Sequence, residues 1–268
     1  MKFMQTWRRW IVWLLVASLF AVACVFLSQW QFSRRAEAVA KIELIASNFD
    51  KPAVAIAELA DLTDFDLSNE WRPVELEGNF LSNKAVLVRN RPYNGNAGFL
   101  QLVPFQLISG EIVAVETGWL PTGSQNDEPD VIPLPSSESI EIIARIRPAE
   151  PTLDRDAPQG QIATINIESL ISKVQLSEPI YKAVYVRLAE SYNNSELPRV
   201  QARPQLTEGN HLSYAFQWIL FALMAFSALW WAIWQERKIK KMELDPNFKP
   251  RRRKKIGDDD KAAEDGIA

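Results

Sequence analysis

The sequence contains only one cysteine, Cys24, and only one histidine, His211. A single cysteine excludes an internal disulfide, and the two residues together cannot complete the ligand set of an ordinary zinc site. No cysteine lies in residues 30–210, which excludes thiol redox chemistry and a Cys-x-x-Cys copper shuttle there. The same region has no histidine for a Ser-His-Asp triad and no glycine-rich phosphate loop. We therefore expect a protein that is not an enzyme.

Charge is also absent from two long stretches of the chain. No charged residue occurs from Trp10 to Ser33 or from Leu212 to Trp234. At a rise of about 1.5 Å per residue, a helix over either stretch crosses a hydrocarbon core that is about 30 Å thick. We predict transmembrane helices at residues 10–29 and 211–234.

Tryptophans and basic residues mark the ends of these stretches. Indole rings favour the headgroup layer of a bilayer, and the tryptophans that flank the two stretches are Trp7, Trp10, Trp13, Trp30, Trp230, Trp231 and Trp234. Basic residues precede the first stretch and follow the second, so the positive-inside rule places residues 1–9 and 235–268 in the cytoplasm. The second of these segments is a basic and acidic tail that we expect to be disordered.

The first stretch could instead be a cleaved signal sequence. Ala21-Val22-Ala23-Cys24 has some likeness to a lipoprotein cleavage site. The apolar run nevertheless continues through Leu27, and the charge-free stretch continues through Ser33, whereas a processed chain becomes polar after the cut. We therefore predict an uncleaved anchor in which Cys24 is a small buried residue.

The charges that remain are unevenly distributed. Residues 30–210 carry 16 basic and 25 acidic side chains, a net charge of −9, whereas residues 1–29 and 211–268 each have a net charge of +3. An acidic region outside the cytoplasm argues against nucleic acid as a partner. We predict an extracytoplasmic, periplasmic domain at residues 30–210 that is held at both ends in the lipid bilayer.

Alternating apolar and polar residues predict that this domain is rich in strands. Strands are expected at residues 74–80, 85–89, 99–108, 111–117, 140–146 and 180–188. Helices are expected at residues 31–48, 52–62 and 166–175. Ser109-Gly110 is the expected hairpin turn, and Asn166 the expected helix cap. The predicted fold is α+β, with two transmembrane helices flanking a strand-rich antiparallel domain that has a few helices.

His211 begins the second span and is followed by aromatic residues. In a helix, positions 211, 214, 215 and 218 lie on one face, so His211, Tyr214 and Trp218 form a stripe near the membrane surface. The outer end of the first span should lie opposite this stripe. Its side chains that could take part are those of Trp30, Gln31 and Arg34.

Spacing alone leaves two interpretations of these residues open. One is an aromatic belt at the membrane interface, with His211 as its polar rim. The other is a haem pocket in which the neutral imidazole of His211 ligates iron and an arginine holds the propionates.

Several motifs resemble the surfeit locus protein 1 family. They are Trp30-Gln31-x-x-Arg34, Asn90-Arg91, Gly98-Phe99, Pro104, Gly118-Trp119-Leu120-Pro121 and Asn210-His211-Leu212-x-Tyr214-Ala215-x-Gln217-Trp218. Proteins of this family are assembly factors for cytochrome c oxidase in bacterial and mitochondrial inner membranes and are implicated in supplying haem a to subunit I. The resemblance implies that His211 contacts haem a, as a ligand of its iron, and that Trp30, Gln31, Arg34, Tyr214 and Trp218 surround it.

The chain departs from the family pattern in two places. The family usually has Asn-Arg-Gly-Trp where this chain has Glu116-Thr117-Gly118-Trp119, so an acid replaces an amide and a neutral residue replaces a cation. Ser28 stands where a glycine is expected before Trp30-Gln31. The resemblance therefore implies a divergent member of the family.

By this resemblance the protein is an assembly factor that assists haem a delivery to, or insertion into, oxidase subunit I, with subunit I and haem a synthase as partners. Because the first span begins by residue 10 without a mitochondrial presequence, we expect the bacterial plasma membrane. Two other hypotheses remain. One is a scaffold that stabilises an oxidase intermediate without binding haem, and the other is a periplasmic sensor, although the short tail leaves no room for an output domain.

Overall fold

The computed structural model describes residues 2–124, 127–153, 155, 157–177, 179–192 and 196–245, with side chains from Trp7 onward. The chain forms two compact units: residues 38–207 make one, and residues up to 37 together with those from 208 onward make the other. The prediction of a disordered tail falls mostly on residues 246–268, which lie outside the described residues.

Three α-helices occur in the described chain, namely α1 (Lys2–Asn48), α2 (Ile167–Val174) and α3 (His211–Leu244). Helices α1 and α3 are long and apolar enough to cross a membrane, and they contain both predicted spans. Large apolar side chains such as Leu19 and Trp230 are exposed along them. Such surfaces are favourable in lipid, where water does not contact them.

Helix α1 runs without interruption past Cys24, and its predicted prolongation through residues 31–48 is confirmed. Helix α2 confirms the predicted cap, because the Asn166 side chain accepts a hydrogen bond from the backbone N–H of Ser169 at 2.9 Å. Its first turn thereby satisfies one of the backbone donors that a helix start leaves open.

Eight strands form one sheet in residues 38–207. They are β1 (Val54–Ala55), β2 (Pro73–Phe80), β3 (Val86–Val88), β4 (Gly98–Leu107), β5 (Ile112–Pro121), β6 (Ser139–Pro148), β7 (Gln161–Ile162) and β8 (Val184–Leu188). The sheet order is β1-β2-β6-β8-β5-β4-β3-β7, and an additional pairing of β2 with β4 closes a barrel of five strands. The predicted strand-rich α+β fold is confirmed.

Apolar side chains of alternate residues fill the barrel. Val74 and Leu76 of β2, Val113 and Val115 of β5, and Ile146 of β6 belong to this interior cluster. A second cluster covers the outside of β3, β4 and β5, where α2 packs through Ile167 and Leu170. Burial on both faces explains why β4 and β5 are apolar almost throughout.

Two local predictions are wrong. Residues 52–62 do not form a helix: Val54 and Ala55 pair with β2, and only Ile56–Glu58 form a 3₁₀ turn. Short helices are marginal in isolation, and pairing with the barrel competes successfully here. In addition, the sheet is not entirely antiparallel, because β1–β2, β3–β7 and β5–β8 are parallel pairs.

Candidate functional site at the start of helix α3

A stripe of small and polar residues on α1 is buried in the unit formed by α1 and α3. Ala17, Cys24, Ser28 and Gln31 are each at most 9% exposed, and Ala215 of α3 is fully buried. The intervals of seven, four and three residues place the α1 positions on one face of a helix. This face ends with the amide of Gln31, which lies near the start of α3.

Gln31 forms a direct hydrogen bond with His211. The Nδ1 atom of the imidazole lies 2.8 Å from Oε1 of the Gln31 amide. With the amide oxygen turned toward the ring, as in this structure, the contact requires a proton on Nδ1 and leaves the lone pair on Nε2. This arrangement of the amide favours the tautomer in which Nε2 can ligate a metal, as hydrogen bonds to ligating histidines commonly do.

A glycine next to His211 keeps space open beside Nε2. Gly209 has φ +67°, a left-handed conformation that glycine adopts without strain. A Cβ atom at this position would lie 3.5 Å from Nε2. A side chain at this position would therefore lie in van der Waals contact with this edge of the imidazole, whereas glycine leaves that space open.

The arginines near the site are both paired. Arg34, which the sequence singled out, forms an ion pair with Glu37 at 2.5 Å on its own helix. The neighbouring Arg35 pairs with Glu208, with 2.7 Å between Nη2 and Oε2, three residues before His211. Sequence reasoning missed Arg35, although its spacing of four residues from Gln31 continues the buried stripe.

The predicted aromatic residues surround the site with exposed rings. Trp30 is 56% exposed and Tyr214 is 49% exposed. Trp218 packs against Phe221, with ring centroids 5.7 Å apart. Phe32 and Phe216 form a further edge-to-face pair at 6.2 Å that the sequence did not single out. Of the six predicted site residues, the structure brings Gln31 and His211 into contact, and the roles of the others stay predictions.

The ligand chemistry of this site is that of a single imidazole. Among the described residues no group of three or more His, Cys, Asp or Glu side chains could hold a metal ion. A haem needs fewer protein ligands than a bare ion, because the porphyrin supplies four nitrogens and the protein only an axial donor. His211 with a free Nε2 fits that requirement.

Residues of the motifs in the middle of the chain contact the side chain of Trp119. Its indole N–H donates to the backbone oxygen of Arg91 at 2.7 Å, and its ring lies 5.6 Å from that of Tyr93. A Cβ on Gly98 would lie 2.5 Å from the Trp119 ring, so only glycine fits there. Arg91 also forms a two-pronged ion pair with Glu150, in which Nη1 donates to Oε1 at 2.8 Å. These residues hold the barrel loops together.

At the motif before Gly118-Trp119, the two residues that depart from the family pattern have partners within the barrel domain. Glu116 Oε1 lies 2.8 Å from Nε of Arg187, and the Glu116 side chain is fully buried. Burial and the nearby Glu116 carboxylate raise the pKa of Tyr185 to about 12. Thr117 donates a hydrogen bond to Oε1 of Gln101 at 2.6 Å. Both departures are therefore accommodated within a folded barrel.

The chain combines a barrel domain with two helices that can cross a membrane and a lone histidine at the start of the second helix. These features define a class of membrane-anchored protein. Its described residues include no group of three or more His, Cys, Asp or Glu side chains that could hold a metal ion. The chain belongs to the SURF1 family, because a sequence profile of that family matches residues 18–223. This match confirms the resemblance that the motifs indicate.

Two bacterial relatives of the chain carry the same family name, and a yeast relative is named for cytochrome oxidase assembly. An uncharacterised SURF1-like protein of Mycobacterium tuberculosis is 28% identical over 244 residues, which cover 87% of both chains. A SURF1-like protein of Rickettsia prowazekii is 22% identical over 200 residues, which cover 72% of this chain and 78% of the relative. The cytochrome oxidase assembly protein SHY1 of Saccharomyces cerevisiae is 30% identical over 131 residues, which cover 46% of this chain and 32% of the yeast protein.

Proposed function

We propose that this protein is a membrane-anchored assembly factor for cytochrome c oxidase that assists the delivery of haem a to subunit I. Membership of the SURF1 family and the similarity to a yeast protein named for cytochrome oxidase assembly support the general role. The finer role in haem a delivery is supported by the single observation that Gln31 engages Nδ1 of His211, the ring nitrogen opposite the one that would bind iron.

In this proposal haem a is the cargo and His211 is its axial ligand. The iron of haem a accepts the Nε2 lone pair, and Gln31 keeps the imidazole in the tautomer that can donate it. Trp30, Tyr214 and Trp218 offer aromatic surface to the macrocycle, and Arg34 together with Arg35 offers guanidinium groups to its propionates. No catalytic step is assigned to this chain.

The proposal includes the location and the partners. The protein is placed in a bacterial plasma membrane, with both termini in the cytoplasm and the barrel domain in the periplasm, as the distribution of basic residues indicates. Subunit I and haem a synthase are the proposed acceptor and donor. An acidic domain outside the cytoplasm gives no support for nucleic acid as a partner.

The experiment is to express the full chain together with a haem a synthase, purify it in detergent and record its absorption spectrum. Haem a should co-purify with the wild-type protein and be lost from His211→Ala. Ser213→Ala, at an exposed position of the same helix that has no role in the proposed pocket, is the matched control and should retain haem. Equal haem content in wild type and His211→Ala would remove His211 from the mechanism, and oxidase subunits co-purifying without any haem would favour a scaffold.

A further inference from the structure

The outer face of β6 carries opposite charges toward its two ends. Side chains alternate along a strand, so Glu141, Ile143 and Arg145 point out of the barrel, while Ile142 and Ala144 are buried in it. Glu141 is exposed, Ile143 is 49% exposed and Arg145 is partly exposed. The outward side chains are therefore acid, apolar and base, with Ile143 in the middle.

The acidic end has more carboxylates than the chain itself neutralises. In the register of β2 with β6, Glu77 lies opposite Glu141 and Glu75 lies opposite Ile143. A shared hydrogen bond with Glu141 and repulsion between their charges raise the pKa of Glu75. No ion pair among the described residues includes any of these three glutamates. A cation supplied from outside would relieve this repulsion.

The basic end has more arginines than carboxylates, because Asp50, the carboxylate whose charge acts on Arg145, already pairs with Arg203. Arg145 lies opposite Arg187 of β8, and its guanidinium shares the ring of Phe49 with that of Arg203. Arg187 and Arg203 each have a carboxylate partner within the chain, whereas no carboxylate of the described residues pairs with Arg145. Phe49 holds the Arg145 guanidinium 3.6 Å from its ring centre. Arg145 is thus a positioned cation without an ion-pair partner in the described chain.

We propose that the outer face of β6 is an interface between two copies of this chain, related by a two-fold axis that passes between their Ile143 side chains. A half-turn about an axis perpendicular to the strand brings Arg145 of each copy to Glu141 of the other and places Ile143 against Ile143. Arg145 of one copy would supply the cation for the acidic end of the other, and Glu141 would supply the anion for its basic end. The two residues lie two positions on either side of Ile143.

A second copy fits this face better than other occupants. A bilayer surface of one charge would repel one end of β6 while attracting the other. A second copy presents the same three side chains in the opposite order. Its charges are therefore opposite in sign to those they face, and they have the same spacing along the strand. Exposed ion pairs are individually weak, but two-fold symmetry makes each pair twice, and helices that can cross a membrane confine the copies and raise their effective concentration.

The interface can be tested through the symmetry of position 143. In a Cys24→Ala background, Ile143→Cys places the only thiol of each chain next to its symmetry mate, within disulfide reach. Mild oxidation of membranes that contain the full chain should convert this variant to a species of twice the mass. Ser172→Cys, which places an exposed thiol on α2 away from β6, is the matched control and should remain monomeric.

Charge reversal then tests which residues meet. In the Ile143→Cys background, Arg145→Glu or Glu141→Arg alone should lower the rate of cross-linking on the order of tenfold, because attraction becomes repulsion twice in each dimer. The double variant with both substitutions should restore the rate. Its recovery also shows that the two substituted side chains are compatible with the fold, and Glu141→Arg alters a side chain that has no ion-pair partner in the described chain.

The outcomes separate the proposal from its alternatives. The two-fold interface is supported if the thiol introduced at position 143 forms a cross-link, if both single reversals lose this cross-link and if the double variant recovers it. Absence of cross-linking overturns it, and so does a cross-linking rate that is the same with and without the charge reversals. Each result is independent of whether the protein binds haem, because neither reversed position belongs to the site at His211.

Discussion

Glu116 and Arg187 form an ion pair between parallel strands β5 and β8, with 2.8 Å between Oε1 and Nε. The carboxylate is fully buried and the guanidinium is 14% exposed. A neighbouring Trp71 ring lies 5.3 Å from the same guanidinium. The acid that departs from the family pattern at position 116 is therefore matched by a cation that lies 71 positions further along the chain.

Neutralising Glu116 should destabilise the barrel. Glu116→Gln leaves the Arg187 charge largely buried without its counter-ion, and the expected loss is about 3 kcal/mol. Thermal unfolding in detergent, followed by circular dichroism, measures it. Glu70→Gln is the control, because the Glu70–Arg147 pair is more exposed, with side chains 21% and 22% accessible, and should lose less than about 1 kcal/mol. Equal losses would contradict the importance of burial.

A methyl group at position 98 should disturb the loop cluster around Trp119. In Gly98→Ala the new Cβ would lie 2.3 Å from the backbone oxygen of Leu120 and 2.5 Å from the Trp119 ring, so the strands have to shift, at a cost of about 1–3 kcal/mol. Gly95→Ala meets no atom within 4 Å and serves as the control, with only the strain of its φ of +81°. If the melting temperature falls less in Gly98→Ala than in Gly95→Ala, the contact between position 98 and the Trp119 ring is not rigid.

The tautomer of His211 can be measured directly because the chain has one histidine. In protein labelled with ¹⁵N-histidine at neutral to alkaline pH, we expect Nδ1 to be protonated and Nε2 to be bare. Gln31→Leu removes the acceptor of the Nδ1–H group and should give a mixture of tautomers, with a smaller haem content in the co-expression experiment. Ser33→Ala, on an exposed position of the same helix, should change neither. A bare Nδ1 in the wild-type protein would contradict the assigned hydrogen bond.

The pair of Arg91 and Glu150 should contribute to stability only above acidic pH. Burial by itself raises the pKa of Glu150, but hydrogen bonds from Arg91 and from the backbone N–H of Ile165 outweigh it and lower this pKa below its usual value of 4.5. A carboxyl with a lowered folded-state pKa contributes stability above its unfolded-state pKa, and the contribution is lost as the pH falls through the folded-state pKa. In Arg91→Gln, melting temperatures measured from pH 7 down to pH 3 should therefore fall less steeply below about pH 4.5 than in the wild type.

Arg89→Gln is the matched control for this experiment. Arg89 lies two positions away, and no carboxylate of the described chain forms an ion pair with it. Its melting curves should follow the wild-type pH dependence. An acid limb that is equally steep in Arg91→Gln and in the wild type would show that the hydrogen bonds do not set the pKa of Glu150.

Local sequence patterns predict the elements of this protein better than their pairing. The alternation of Val74, Leu76 and Phe80 correctly indicates a strand with one face in the core, and Asn166 correctly indicates a helix start. The parallel pairing of β5 with β8 follows from closure of the barrel and has no local signal. Residues 52–62 show helical spacing because Ile56 and Leu59 do face the core, but tertiary pairing decides their conformation.

The candidate site was only partly accessible from sequence. Gln31 and His211 are both indicated by their motifs, whereas their contact requires the packing of α1 against α3 within one unit. The pairing of Arg35 with Glu208 is not indicated by the motif, whose arginine is Arg34. Helical spacing from Cys24 through Ser28 and Gln31 to Arg35 is the signal that could have identified it.

The burial of Cys24 turns the only thiol of the chain into a reporter of helix separation. Its side chain is 1% exposed, on the face of α1 that also carries Gln31. A membrane-permeant alkylating reagent can modify it only during intervals in which that face is uncovered and water reaches the thiol, because the thiolate is the reactive form. The modification rate therefore measures how often the two helices part, and comparing rates with and without cargo would show whether loading His211 locks them together.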